Sequence, residues 1–376
     1  MTTRCSSHLE CSSSCAAVPV HGMAPQASPD QRPAEAVRAP PAAVGCPRHG
    51  LVGRRVLSDR GGMHTRYSSR DTSARPVGAG SDLFVVTAAT SDTGSAVVRA
   101  LLESGSAVVA VGRDRERLRP WADLGARTHV SPLDDAEGLT EAMEGATGAF
   151  VMMAPGVMPG STDFPAYQRA VSAAQARAVR AAHRQGSLRR VVTLSGWGAN
   201  YSGARGPVWG LRRLEETIDS TGVPAVHLRA GSFMENLRPD IASIKATGTT
   251  GGLVPPDLPL PMIATADIGR VAAEFLRGDR EFTPGPVEVA GPAHRTLQEA
   301  TRLIGAAVGV DDARYVLRSP EAVRASLLEA GFSHHMADGI VDMTLDVAQG
   351  RIRLLDADRA ITTSTTLEEF LDAATA

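Results

Sequence analysis

Residues Leu83–Asp114 read LFVVTAATSDTGSAVVRALLESGSAVVAVGRD, and the order of elements in this stretch decides the fold. The opening run LFVVTAAT is short, apolar and rich in β-branched side chains, as in a strand buried on both faces. SDTG follows, and then AVVRALLESG, whose Val97, Leu101 and Leu102 have helical spacing. AVVAVGRD is a second buried strand, ending at Arg113. A strand, a tight turn, a helix and a second strand in this order set a helix N-terminus against the end of a central strand. Backbone N–H groups and the helix dipole can hold a pyrophosphate there. Such turns usually carry three glycines: one for the tight turn, one for phosphate approach and one for helix packing. Here Ala88 and Ser91 fill the first two slots and Gly94 the third. If either substituted position needs a positive φ, the strain is roughly 1–3 kcal/mol.

Strand and helix signals keep alternating outward from this unit. GARTHV is a third strand, followed by the helix AEGLTEAMEGA with Asp134 or Asp135 as its cap. GAFVMMAP is a fourth strand, and a long helix runs from about Pro165 to His183. RRVVTLSG, the helix VWGLRRLEETIDSTG closed by Gly222, and the strand AVHLRAG complete the series. This rhythm predicts an α/β fold with a doubly wound parallel sheet and crossover helices on both faces. From about Phe233 the pattern changes. Pro- and Gly-rich loops such as GTTGGLVPPDLPLP alternate with the helices ADIGRVAAEFLRG and TLQEATRLIGAAVG. The expected organisation is therefore a disordered or non-native extension over 1–80 and a folded body over 81–376. Within the body, 81–232 is mainly the dinucleotide-type core. Residues 233–376 are mainly a smaller α/β cap, partly woven back into the sheet, that walls a substrate crevice.

The chain has 376 residues, 43% of them hydrophobic, and a net charge of −2. It can bury a core, and its charge implies no strong affinity for polyanions. No apolar run approaches the roughly 20 residues needed to span a bilayer, and the first residues lack the apolar stretch of a secretory signal. The four cysteines are Cys5, Cys11, Cys15 and Cys46, so the body from Ser81 onward has none. A cytoplasmic protein without disulfides is expected. The extension carries ten Arg against five acidic residues and no sustained period. Its cysteine spacings do not match paired zinc ligands, and adjacent His334 and His335 do not share a helix face. No metal is expected. Met63 stands close before the body, so an alternative start is open. No basic stripe or helix-turn-helix pattern appears in the body, so direct nucleic-acid binding is not expected.

Against the turn TAATSDTG, the NmrA-like branch of the atypical short-chain dehydrogenases has TGATGxxG. MMAP at Met152–Pro155 and LSG at Leu194–Gly196 are similar to its segments after the fourth and fifth strands. STGVPAVHLRAGSFMEN resembles its SGxxxTxLRPxxFMEN, which aligns Phe233, Met234, Glu235 and Asn236. ATADIGRVAA, VEVAGPAHRTLQEA and STTLEEFL resemble its later segments, so the likeness runs from Leu83 to Leu371. The departures are the two lost glycines and Pro132, where an aspartate near the adenine is usual. The resemblance implies a Rossmann sheet that binds a nicotinamide dinucleotide. Carried onto this sequence, it assigns cofactor contact to Thr87, Ala89, Thr90, Thr93, Gly94, Arg113, Met153, Ala154 and Pro155.

Arg113 follows the second strand, where the adenosine ribose lies in such folds. An acidic residue there binds two hydroxyls, whereas arginine pairs with a 2′-phosphate, so NADP is expected over NAD. Asp114 either joins it or caps the next helix. Ser195, at the end of the fifth strand, is a candidate to orient substrate or to bond the loop backbone. Asn236 and Trp197 are candidates for the substrate side. A Tyr-x-x-x-Lys pair would put both side chains on one helix face and let the ammonium lower the phenol pKa. Lys245 is the sole lysine, and the residues four after Tyr67, Tyr167, Tyr201 and Tyr315 are Asp71, Val171, Arg205 and Ser319. Arginine is a poor proton donor because its pKa stays above ~12. Reducing a ketone leaves an alkoxide that needs a proton. A quinone or an iminium ion does not need a strong acid. An oxidoreductase acting on such an electrophilic small molecule is therefore one expectation. The other is a non-catalytic dinucleotide sensor with a protein partner.

Overall fold

The computed structural model describes residues 82–154, 160–355 and 360–376. The expectations for residues 1–80 and for Pro155 fall outside these residues. The strands are β1 (Leu83–Val86), β2 (Ala107–Gly112), β3 (Arg127–Val130), β4 (Gly148–Met152), β5 (Arg190–Gly196), β6 (Ala225–Ala230), β7 (Ser232–Phe233), β8 (Thr249–Gly252), β9 (Leu260–Ile263), β10 (Gly285–Ala290), β11 (His294–Arg295), β12 (Arg314–Leu317) and β13 (Ile361–Thr362). The α-helices are α1 (Asp92–Glu103), α2 (Arg115–Asp123), α3 (Ala136–Ala142), α4 (Phe164–Arg184), α5 (Gly206–Asp219), α6 (Arg238–Thr247), α7 (Thr265–Arg277), α8 (Leu297–Val308), α9 (Pro320–Glu329), α10 (His334–Ala348) and α11 (Leu367–Thr375). Asp135, rather than Asp134, caps α3.

The main sheet has the order β13-β10-β6-β5-β4-β1-β2-β3, and its neighbours pair in parallel. The chain leaves β1 for β2 and β3, then crosses back to β4 on the other side of β1. That reversal makes the carboxyl ends of β1 and β4 the switch point, where doubly wound sheets open a crevice.

Pleating sends alternate residues to opposite faces. Phe84, Val86, Val108, Ala110 and Phe150 pack against Val97, Leu101, Leu118, Ile268 and Leu276, from α1, α2 and α7. Val85, Val109, Val151 and Val191 pack against Leu139, Val179, Leu214 and Ile218, from α3, α4 and α5. Helix α7 thus comes from the C-terminal half yet lies on the core sheet. It crosses α1 at Gly269, where an added Cβ would stand 2.5 Å from the Ala96 Cβ. Strands β10 and β13 return to the main sheet too. The remaining C-terminal elements form a three-stranded sheet β11-β9-β7 and a two-stranded sheet β12-β8. A further apolar cluster that includes Trp197, Met234, Leu237, Ile244, Met262, Ile304, Leu367 and Leu371 joins these elements to the end of β5.

Candidate functional site

The turn after β1 keeps a glycine-type backbone without the glycines. Ala88 has φ 50°, the only positive φ at a non-glycine position among the described residues. Ser91 needs no such freedom: its φ is −86° and ψ 164°, and it is the N-cap of α1. Its hydroxyl accepts from the Gly94 N–H at 3.1 Å and lies 2.9 Å from the Ala88 carbonyl oxygen. Gly94 carries the packing role, since a Cβ there would lie 2.1 Å from the Ala88 oxygen. Helix α2 holds the turn from outside. The Trp121 Nε1–H donates to the Ala89 carbonyl at 2.9 Å, and Arg117 Nη2 donates to the Thr90 carbonyl at 2.9 Å.

Beneath the turn, buried Thr87 and Gln175 bridge the ends of β1 and β4. Thr87 Oγ1 donates to Gln175 Oε1 at 3.2 Å and accepts from the Met152 N–H at 3.3 Å. Gln175 Nε2 donates to the Met152 carbonyl at 3.1 Å. Thr87, Ala89, Thr93, Gly94 and Met153 are buried, Thr90 and Ala154 half-buried, and Arg113 exposed. Asp114 is the N-cap of α2, accepting from Glu116 N at 2.9 Å and Arg117 N at 3.3 Å. Arg113 is left as the outward cation at the end of β2.

An apolar cluster of Ala88, Leu133, Met153, Ala154, Tyr167, Val171 and Leu211 crosses the carboxyl edge of the sheet. Tyr167, in the first turn of α4, stacks on Phe164 with centroids 6.1 Å apart. Burial pushes its phenol pKa up, Asp134 adds to the rise and Arg113 opposes it. Those three side chains therefore share one neighbourhood at the carboxyl edge of the sheet.

On the far side of the turn, Arg238 Nη1 contacts both Asp92 carboxylate oxygens, at 3.0 and 3.1 Å. Buried Glu235 accepts from the Thr265 N–H at 3.0 and 3.1 Å and from the Thr265 hydroxyl at 2.7 Å, at the start of α7. Desolvation raises its pKa against those hydrogen bonds, and nearby Asp92 raises it further. Asn236 is exposed in the short 3-10 turn Met234–Leu237.

The family model of the NmrA-like family matches residues 81–371. The chain belongs to the NmrA-like family. A search of curated proteins returned no match. The fold is similar to that of an NADPH-dependent quinone oxidoreductase from Escherichia coli complexed with NADPH. The TM-score is 0.64 at 21% identity, over 77% of this chain and 99% of that one. It is also similar to the Citrobacter sp. triphenylmethane reductase complexed with NADP(H), with TM-score 0.64, 18% identity, and 78% and 100% coverage. An isoflavone reductase gives TM-score 0.56 at 17% identity, over 78% of this chain and 99% of that one. Among the described residues no helix is long and apolar enough to cross a membrane.

Within this NmrA-like fold Ser195 is committed to a buried network. Its hydroxyl donates to Glu215 Oε1 at 2.5 Å. Arg229 grips the same carboxylate through Nε at 2.9 Å and Nη2 at 2.6 Å. These contacts fasten α5 across β5 and β6. Trp197 is buried, and its Nε1–H has no partner among the described residues. Tyr201 precedes α5, and Arg205 pairs with Asp342 at 3.2 Å. Arg212 and Arg213 reach Glu216, beside an outer groove of about 360 Å³ that also includes Arg169 and Trp209. Trp121, Gln175, Tyr167 and Arg238 were not singled out from the sequence as parts of this site. Tyr167 had a usable signal, because it opens the helix after the fourth strand. The other three act across long sequence separations that carry no local pattern.

Proposed function

We propose that this NmrA-like chain binds NADP(H) at the turn between β1 and α1 and reduces an already electrophilic small molecule, such as a quinone or an imine, in the cytoplasm. The observation that carries the reading is Ala88 at φ 50°: the chain keeps the dinucleotide-type turn where its sequence has lost the glycine. The first N–H groups of α1 would hold the pyrophosphate, and exposed Arg113 would pair with the 2′-phosphate. The apolar cluster around Met153 and Tyr167 would flank the adenosine end. The bound nicotinamide would supply the hydride.

The chain's own groups favour acceptors that need no strong acid. Ser195 spends its proton on Glu215. Tyr167 is a weaker acid than a free phenol. Neither is paired with a lysine. The segment over residues 233–376 would form the substrate wall, with Asn236 exposed toward solvent.

A non-catalytic sensor is the second reading, favoured by the want of a tyrosine–lysine pair: the sole lysine, Lys245, follows no tyrosine at four residues. Calorimetric titration with NADPH, NADP, NADH and NAD tests the binding half. A panel of quinones, cyclic imines and ketones with NADPH tests the chemistry. Tight NADPH binding with quinone or imine turnover supports the enzyme. Tight binding with no turnover on any acceptor supports the sensor, and no binding of any nucleotide rejects both.

A further inference from the structure

We infer that Arg238 is the cation that allows a dinucleotide pyrophosphate to settle beside Asp92, an inference that rests on the proposed NADP(H) site. Asp92 is the first residue of α1, where the helix presents its N–H groups. A carboxylate at that position suits the dipole of a free helix. It is a poor neighbour for a pyrophosphate, because like charges brought to one helix end repel. Glu235 places a second carboxyl close enough to feel Asp92. The counter-charge comes from the opposite half of the chain. Arg238 opens α6 two residues after Asn236 of the FMEN segment and reaches Asp92 across 146 residues.

The geometry of the pair leaves room for a third member. A fork-to-fork pair would engage two guanidinium nitrogens. Among the described residues only Nη1 of Arg238 touches Asp92, meeting both oxygens. Nη2 and Nε remain for another acceptor. The side chains of Arg238 and Asp92 are 44% and 27% exposed, so a ligand can reach the pair from solvent. The other arginines at the turn are differently engaged. Arg117 is spent on the Thr90 carbonyl, and Arg113 stands beyond β2, at the adenosine-type end. Arg238 is thus the residue that offsets the charge at the phosphate end, and it links the C-terminal half to that end.

Calorimetric titration of NADPH and NADH tests this in wild type, Arg238→Ala, Arg238→Lys and Asp92→Asn, with melting temperatures measured alongside. Loss of a charge-assisted hydrogen bond predicts roughly 10- to 150-fold weaker binding for Arg238→Ala. NADPH and NADH should weaken by the same factor, because both carry the pyrophosphate. Arg238→Lys should recover part of the loss. Asp92→Asn breaks the same ion pair but keeps the cation, so it should bind both nucleotides at least as tightly as wild type. Equal weakening in Arg238→Ala and Asp92→Asn would overturn the inference, leaving the pair a structural tie. So would wild-type affinity in Arg238→Ala. Failure of wild type to bind any nucleotide would instead reject the NADP(H) site itself, and this inference with it.

Discussion

Replacing Ser195 with alanine separates a structural serine from one that serves substrate. The hydroxyl lies 2.5 Å from Glu215 Oε1, and both residues are buried. A hydrogen bond to a charged group contributes roughly 1.5–3 kcal/mol. Glu215 keeps both Arg229 contacts after the change, so the loss should fall toward the lower part of that range. At roughly 2–4 °C per kcal/mol for a domain of this size class, the melting temperature should drop by about 3–8 °C. Dinucleotide affinity should stay within a few-fold of wild type, because the network lies between α5, β5 and β6 rather than at the turn. Glu215→Gln is the companion variant. It leaves the Arg229 guanidinium, whose side chain is 12% exposed, without its counter-charge, which costs up to roughly 3–5 kcal/mol. Differential scanning calorimetry and urea unfolding measure both effects. A Ser195→Ala protein melting within about 1 °C of wild type would refute the reasoning. If turnover of a quinone or imine, where the wild type shows it, collapsed at the same time, Ser195 would be a substrate residue.

Four further outcomes are expected. Arg113→Ala should weaken NADPH by roughly 10- to 150-fold and leave NADH nearly unchanged; equal loss for both nucleotides would remove the 2′-phosphate assignment. Ala88→Gly with Ser91→Gly should tighten dinucleotide binding by calorimetry. Glycine suits φ 50° at position 88 and position 91 releases the Gly94 N–H, while losing a serine cap to glycine costs only a few tenths of a kcal/mol. Burial raises the Glu235 pKa, so folding favours its protonated form, and its contribution to stability falls as pH rises from the ordinary glutamate range through the raised value. Relative to Glu235→Gln, wild type should therefore lose melting temperature between mildly acidic and alkaline buffers, and a constant difference across that range would contradict the raised value. Tyr201→Phe should leave most of any turnover of quinones or imines intact, and ketone reduction by the wild type that is abolished in that variant would identify Tyr201 as the acid.

The doubly wound sheet was legible because short apolar runs bounded by turn residues alternate with segments of helical apolar spacing such as Val97, Leu101 and Leu102. The interleaving of the two halves was harder to read. Helix α7 lies against α1 because Gly269 permits the approach to Ala96, and β10 and β13 extend the main sheet. Of the residues expected to touch the cofactor, Thr87, Ala89, Thr93, Gly94 and Met153 are buried. Thr87 faces Gln175, and Ala89 meets Trp121 through its carbonyl. Position in a motif does not say which way a side chain turns.

The sequence by itself determined the α/β class, the family, the place of the turn after β1 and the want of a tyrosine–lysine pair. All of these depend on local spacing or residue identity. Only the tertiary structure decided that Ala88 adopts the left-handed backbone while Ser91 does not, that Ser195 belongs to the Glu215–Arg229 network, and that Arg238 reaches Asp92. A backbone torsion in a turn is set by what pins both of its ends. An ion pair across 146 residues exists only once the chain has folded back on itself.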